Sequence, residues 1–406
     1  MLFETDICIM NQTYCVALVF SRKSYRYRAY ARQYTEALLT LQKHVIIVSP
    51  DCLELQHDLL VKFRSYSEKL SFISIEEISL EEGYPREFEL IKRYFKLTRY
   101  LKSMELNIQT KIDLVYFAPL EDWVKPKFKK WILRKIFPYS FTGLITRTKA
   151  YEDESLRLNV DPKYNEADYL MSSENCIGVC TLDRFNTEKI RSRIYRKVIL
   201  MPDITDIEIQ EETFELGKQI RRMAKGRMLI GAILLDADFP FEFLDIIKNA
   251  PDDLYFFVII GEISTSSFSF VLKNKLNELM QSEKLNYFIK TDFDANKKDT
   301  NMLIKALDVV YIGFDNKELP SVVLSKAAKF EKPVIAYKCK FTSKLVVAFK
   351  LGLVIGDDYY SPLDTLQVLR LQLPFNLNYD FDAVKTYSKL QDQKYLKQSW
   401  EELLWF

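Results

Sequence analysis

Short apolar runs alternate with stretches of helical spacing along most of this chain. The run YCVALVFS at 14–21 has strand character and is followed by the polar RKSYRYR and then by YARQYTEALLTL, whose apolar positions recur every three to four residues. HVIIVSP closes the unit as a buried strand stopped at Pro50. Strand, helix and strand at this spacing predict parallel α/β structure. The alternation continues with LSFISI at 70–75, an amphipathic helix over about 87–105, IDLVYFAP at 112–119 and FTGLIT at 141–146.

Over 150–168 the chain turns polar and apolar periodicity lapses, which predicts a domain boundary there. A second series follows: CIGVCTL, KVILMPDI, RMLIGAILL, LYFFVIIGEI, LNYFIKT, DVVYIGF, KPVIAY and LGLVIG, most of them separated by helical stretches. The expected architecture is α/β with two Rossmann-like doubly wound domains, residues 1–165 and 166–385, and a C-terminal helix at 386–406 crossing back to the first. Ligands of such sheets lie beyond the carboxyl ends of the strands.

With 406 residues, 48% of them hydrophobic, the chain has material for two cores and none of the composition of a disordered protein. The start MLFETDICIMNQTYC lacks the basic and apolar segments of a signal peptide, and no apolar run reaches the roughly 20 residues that span a bilayer, so neither secretion by that route nor a membrane span is expected. Six cysteines sit mostly in apolar runs, as buried thiols do in a reducing cytoplasm; Cys176 and Cys180 have no completing ligands at zinc-like spacing, and no metal site is expected. Lys and Arg outnumber Asp and Glu up to Ala150 and are outnumbered after it, which predicts a basic face on the first domain only.

The stretch NKELPSVVLSKAAKFEKPVIAY at 316–337 carries the most chemistry. Apolar DVVYIGF ends in the loop DNKELP, Ser321 is placed to cap a helix, and EKPVIAY is the next strand. A helix start at the end of a strand offers unpaired N–H groups and a positive dipole end to a diphosphate, although any ordinary βαβ crossover has the same pattern.

Together with RMLIGAILL, FPFEFLDIIKNAPDDLYFFVIIGE, MLIKALDVVYIGF and FKLGLVIGDD before SPLDTLQVLRL, this order of pieces over about 227–371 resembles the nucleotide-sugar domain of the retaining, group 1 type GT-B glycosyltransferases. The resemblance implies a metal-independent hexosyltransferase-like enzyme with no cofactor and a nucleotide sugar as co-substrate. In that family a Glu, seven residues and a second Glu frame the helix. Glu318 matches the first, which contacts the donor sugar; Lys326 stands where the second would hold the ribose. The resemblance further implies that the backbone at Leu319, Pro320, Ser321 and Val322 seats the phosphates.

An ammonium has three donors and no acceptor, so Lys326 cannot take a hydrogen bond from a ribose hydroxyl. It is either a cation for the donor phosphates or a solvated helix lysine. The first-strand loop, basic in the family, is LLDADFPFEF here, and Asp236 and Asp238 have the wrong sign for a diphosphate. Lys326 is then the relocated charge, with Lys290, Lys338 and Lys340 as further cations on the donor side, or the donor site is lost.

In the first half the resemblance is architectural. Asp122 and Glu121, after the strand DLVYFAP, are placed to act as a base or position an acceptor hydroxyl, or to cap local structure. FSRKSYRYRAY replaces the family's glycine-rich loop, and its Arg22, Lys23, Arg26 and Arg28 suit an anionic group or a solvated loop equally.

WVKPKFKKWILRKIFPY at 123–139 places Val124, Phe128, Trp131, Ile132 and Ile136 on one helical side, with Lys125, Lys127, Lys129, Lys130, Arg134 and Lys135 on the rest. That is the composition of a helix lying on anionic lipid, and an apolar stripe packed on its own sheet is the competing reading. Nucleic acid is not an expected partner, since no such motif occurs and the second half is acidic.

The expected function is transfer of a sugar from a nucleotide sugar to a glycan or lipid-linked acceptor by a cytoplasmic enzyme, peripheral on the inner face of the plasma membrane and serving polysaccharide biosynthesis. A non-catalytic GT-B scaffold partnering an active transferase is the alternative. A sugar-nucleotide epimerase on the same fold ranks third.

Overall fold

The computed structural model describes residues 14–78, 87–124, 130–146, 171, 173–194, 196–205, 215–234, 241–261, 269–282, 284–293, 299–313, 322–338, 341–356, 361–372 and 379–405. The chain divides into two compact units, residues 1–202 with 393–406, and residues 203–392.

Unit 1 is built on a parallel sheet of seven strands: β1 (Cys15–Phe20), β2 (His44–Ser49), β3 (Leu70–Ser74), β4 (Leu114–Ala118), β5 (Phe141–Ile145), β6 (Val179–Thr181) and β7 (Val198–Leu200). They lie in the order β3-β2-β1-β4-β5-β6-β7. Strands β1, β4 and β5 are buried throughout, as expected of a parallel sheet covered on both faces. The cover includes the helices Tyr25–Thr40, Cys52–Lys62, Glu87–Ile108 and Thr187–Ile194.

Unit 2 carries a parallel sheet of six: β8 (Met228–Leu234), β9 (Tyr255–Gly261), β10 (Tyr287–Lys290), β11 (Val309–Ile312), β12 (Val334–Tyr337) and β13 (Gly352–Ile355), in the order β10-β9-β8-β11-β12-β13. Counted within the unit this is 3-2-1-4-5-6, the Rossmann order, with its reversal between β8 and β11.

The domain limits differ from the sequence expectation. CIGVCTL and KVILMPDI, assigned above to the second domain, are β6 and β7 of the first sheet: Leu144 pairs with Cys180, and Thr181 with Leu200. The polar stretch after Ala150 therefore lies inside unit 1. Polarity alone does not separate a crossover from a linker, because both are surface chain; only strand pairing does.

The C-terminal expectation divides in the same way. Helix Phe381–Leu390 packs on helix Val322–Lys329 of unit 2, and the chain rejoins unit 1 only at helix Gln393–Leu404. There Trp400, fully buried, meets Tyr34 and Tyr116 with ring centroids 5.6 and 5.0 Å apart, and the Ser399 hydroxyl donates to the Leu200 carbonyl at 3.2 Å.

Cys176 and Cys180 are fully buried, and burial pushes each thiol up to about 12. They behave as small core hydrophobes.

Candidate functional site

In unit 1 the strand order reverses between β1 and β4, so the carboxyl ends of these two strands form the crevice that a ligand would use. Asp122 occupies it. Buried on the short helical turn Leu120–Asp122 after β4, it accepts the Ser21 hydroxyl at 2.5 Å and Arg22 Nε at 2.8 Å on Oδ2, and pairs with the Arg22 guanidinium again through Oδ1. Glu121 accepts the Thr146 N–H at 2.5 Å and its hydroxyl at 3.3 Å. The two carboxylates thus tie the end of β4 to the ends of β1 and β5. As placed, Asp122 holds Ser21 and Arg22, which is the local structural role that was the alternative to acting as a base.

The segment 75–78 crosses this carboxyl edge after leaving β3. The Ile75 N–H donates to the Ser49 carbonyl at the end of β2, and the Ile78 N–H to the Ser21 carbonyl at the end of β1, 2.9 Å away. Glu77 accepts the Lys23 N–H at 2.8 Å. A cavity of about 210 Å³ lies beneath, between this segment, helix Glu87–Ile108 and Trp123.

Of the basic cluster at 22–28, Arg26 and Arg28 belong to helix Tyr25–Thr40, which Ser24 caps by accepting the Tyr27 N–H. Arg28 pairs with Glu54 at 2.8 Å and lies 3.5 Å from Asp51. Arg22 and Arg28 are thus matched by neighbouring carboxylates.

In unit 2, helix Val322–Lys329 follows β11 at the reversal point and is buried from Val322 to Ala328. Lys326 is fully buried, and its Nζ donates to Asn301 Oδ1 at 2.5 Å. Asn301, also buried, lies in the first turn of helix Asp299–Ala306, which packs beside it. One residue earlier, the Ser325 hydroxyl donates to buried Asp203 at 3.4 Å, and the Asp203 N–H donates to Gln391 at 2.6 Å. A solvated helix lysine is therefore excluded. An ammonium so far from water persists only where donors and charge are compensated, and a charge of this kind near a crevice is a candidate functional group.

No family model matches the sequence, and no curated protein sequence matches it. Solved structures do. A glycosyltransferase from Rickettsia africae ESF-5 is similar over 97% of this chain and 98% of its own, with 13% identity and a TM-score of 0.64. Anabaena Alr3699/HepE, in complex with UDP, is similar over 96% and 99%, at 13% identity and a TM-score of 0.60. WaaG, a glycosyltransferase involved in lipopolysaccharide biosynthesis, is similar over 96% and 99%, at 11% identity and a TM-score of 0.58.

The chain has the GT-B fold.

On the GT-B frame the expected donor residues divide sharply. Val322 opens the buried helix and Lys326 lies one turn further in. Glu318, Leu319, Pro320, Ser321 and Lys340, with Asp236 and Asp238, lie outside the described residues. Lys290 ends the edge strand β10, with its Nζ 3.5 Å from Asp292. Asn301 and Asp203 were not legible as site residues, since each is joined to the helix only through the fold. Among the described residues no three His, Cys, Asp or Glu side chains come together as metal ligands.

Over the described residues the expected lipid-facing helix is turned differently than its pattern suggested. Helix Lys130–Ile136 buries Leu133 and Ile136, while Trp131 is 58% exposed with Lys135 Nζ 5.2 Å from its ring centre. Overlapping three- and four-residue spacings define two candidate stripes, and docking on helix Glu87–Ile108 selected the one containing Leu133. Arg134 pairs with Glu174 at 3.2 Å. Lys127 and the side chain of Lys130 lie outside the described residues.

A clearer surface feature is the outer stripe of helix Glu87–Ile108 itself. Phe88, Phe95 and Leu106 are 68%, 56% and 80% exposed and alternate with exposed Lys92, Arg99 and Lys102 at spacings of four and three residues. No described helix is long and apolar enough to cross a membrane.

Proposed function

We propose that this protein is a glycosyltransferase that moves a hexosyl unit from a nucleotide sugar to a glycan or lipid-linked acceptor at the cytoplasmic face of the membrane, in polysaccharide biosynthesis. The observation that carries the reading is Lys326: a fully buried cation on the helix that opens at the strand-order reversal of a GT-B second unit. HepE in complex with UDP and with UDP-glucose supports a donor of that class, and the involvement of WaaG in lipopolysaccharide biosynthesis supports a glycan or lipid-linked acceptor.

In this reading Glu318 orients the donor sugar, backbone N–H groups from Leu319 to Val322 hold the diphosphate, and Lys326 acts from beneath. Its ammonium is engaged with Asn301, so its contribution is a fixed positive charge in a low-dielectric interior rather than a direct contact. Such a charge stabilises the leaving diphosphate without reorganisation as negative charge develops. Asp122 holds Arg22 at the crevice of unit 1. The reading includes no metal, so turnover is expected to persist in EDTA.

Calorimetry of the full chain with UDP, UDP-glucose, GDP-mannose and ADP-glucose tests the donor. At least one is expected to bind with micromolar to millimolar affinity, and hydrolysis or transfer of its sugar should follow. The engagement of Lys326 with Asn301 and of Asp122 with Arg22 favours one second reading, a non-catalytic GT-B scaffold. Binding of none of the four would overturn the transferase reading in favour of the scaffold.

Peripheral attachment is proposed from the aromatic and basic stripe of helix Glu87–Ile108, extended by Trp131 and Lys135. Aromatic and aliphatic side chains enter the headgroup boundary while Lys and Arg meet anionic lipid, each near-surface charge contributing about 1 kcal/mol. The protein is expected to float with vesicles containing phosphatidylglycerol and not with pure phosphatidylcholine, and Phe95→Glu combined with Lys102→Glu should abolish flotation. Equal behaviour of the variant and the parent protein would remove the stripe from the interface.

A further inference from the structure

The cavity of unit 1 has the size and lining of a sugar subsite. Its volume of about 210 Å³ falls below the roughly 300–1,000 Å³ of pockets for drug-sized ligands, which restricts it to a single ring or a headgroup. Ile78, with the nearly buried side chains of Leu97 and Trp123 behind it, gives the cavity an apolar wall, and Tyr100 and Glu77 bring polar groups to the same space. Segment 75–78, bonded to the ends of β2 and β1, fixes the cavity at the carboxyl edge of the sheet beside the Asp122–Arg22 pair. That edge, at the reversal of strand order, is where this fold class binds its ligands.

The charges on the lining are not balanced one by one. Lys96 is paired with Glu76 at 3.0 Å, and Glu77 holds the Lys23 N–H through Oε1. Arg93, half-buried on the same helical face as Lys96, Leu97 and Tyr100, has no acidic or hydrogen-bonding partner among the described residues. A guanidinium left in this state presents a planar fork that matches a carboxylate or phosphate with two parallel hydrogen bonds.

We propose that this cavity seats an acidic monosaccharide unit of the acceptor, a ring bearing a carboxylate or a phosphate ester, and that Arg93 is the residue that selects it. The proposal rests on the glycosyl-transfer reading above and names the acceptor class. The ring lies against Ile78, Glu77 accepts from ring hydroxyls, and Arg93 takes the acidic substituent. Helix Glu87–Ile108 then has three faces: Leu90, Tyr94 and Leu101 in the core, Arg93, Lys96 and Tyr100 on the sugar, and Phe88, Phe95 and Leu106 outward.

Saturation-transfer NMR and calorimetry on the full chain, with D-glucuronate, D-glucose 6-phosphate, D-glucose and inorganic phosphate as separate probes, test this. At least one acidic sugar is expected to bind tenfold or more tightly than both glucose and phosphate, and whichever it is identifies the substituent. Arg93→Gln, at a half-exposed position, should cut that preference to within twofold of glucose while leaving UDP affinity unchanged. Glucose binding as well as the acidic sugars, phosphate alone matching them, or a preference that survives Arg93→Gln would each overturn the proposal. UDP is titrated into the same samples, so donor binding without acidic-sugar preference overturns this inference alone, and absence of donor binding overturns the transfer reading.

Discussion

Replacing Lys326 with methionine is expected to lower affinity for the nucleotide diphosphate by roughly thirtyfold while leaving unit 2 folded. The side chain keeps an unbranched stem, one atom shorter, and loses its charge and its donor to Asn301. At an effective dielectric of about 20, a unit charge within about 7 Å of a phosphate contributes about 2 kcal/mol, which is the factor expected. Stability responds to two opposed changes. Removing a desolvated ammonium relieves a cost, while Asn301 loses its donor, at about 1–3 kcal/mol for a buried group left unsatisfied.

The net change in unfolding free energy should therefore be small and of either sign, whereas UDP binding falls in one direction only. Lys326→Glu places an anion beneath the phosphates and should not restore binding. Calorimetry with UDP on folded Lys326→Met, checked by circular dichroism, decides the matter. Affinity equal to that of the parent protein would reduce Lys326 to a packing residue.

The second large effect is on stability. Asp122→Ala strips two partners at once, the Ser21 hydroxyl and the Arg22 guanidinium, and leaves a mostly buried cation without its carboxylate. Breaking a buried pair by removing one member costs about 3–5 kcal/mol, against which a catalytic base could be deleted at little cost to the fold. Urea unfolding followed by a unit 1 signal, such as Trp123 fluorescence, should show that loss. Asp122→Asn keeps an acceptor for the Ser21 hydroxyl and should lose less. An Asp122→Ala protein with unchanged unfolding but abolished turnover would return Asp122 to the role of base.

The α/β alternation was legible because burial on both faces of a parallel sheet leaves continuous apolar runs such as LYFFVIIG, and crossover helices leave three-to-four-residue spacing between them. The boundary was not. FTGLIT and CIGVCTL are separated by a long polar stretch, and nothing local records that Leu144 pairs with Cys180. Hydrogen bonding between strands is non-local, so a change in composition along the chain cannot show which sheet a strand joins.

At the site the same division holds residue by residue. The departure at Lys326 was visible in the order of pieces, since it depends on spacing within one helix. Its burial, and its bond to Asn301 twenty-five positions away, depend on how helix Asp299–Ala306 packs beside it. The amphipathic pattern at 123–139 was read with Trp131 in its apolar stripe, and only docking on the neighbouring helix turned Leu133 inward and Trp131 outward.

By itself the sequence determined the two doubly wound sheets and the helix after β11, because each is written in local periodicity, and the resemblance it carries set Lys326 where a second carboxylate is expected. Tertiary structure alone decided that Asp122 is bound to Ser21 and Arg22, that Lys326 is buried against Asn301, and that Arg93 faces a cavity without an acidic partner among the described residues. Those are properties of side chains brought together from distant segments, where burial and pairing, rather than residue type, set what a charged group can do.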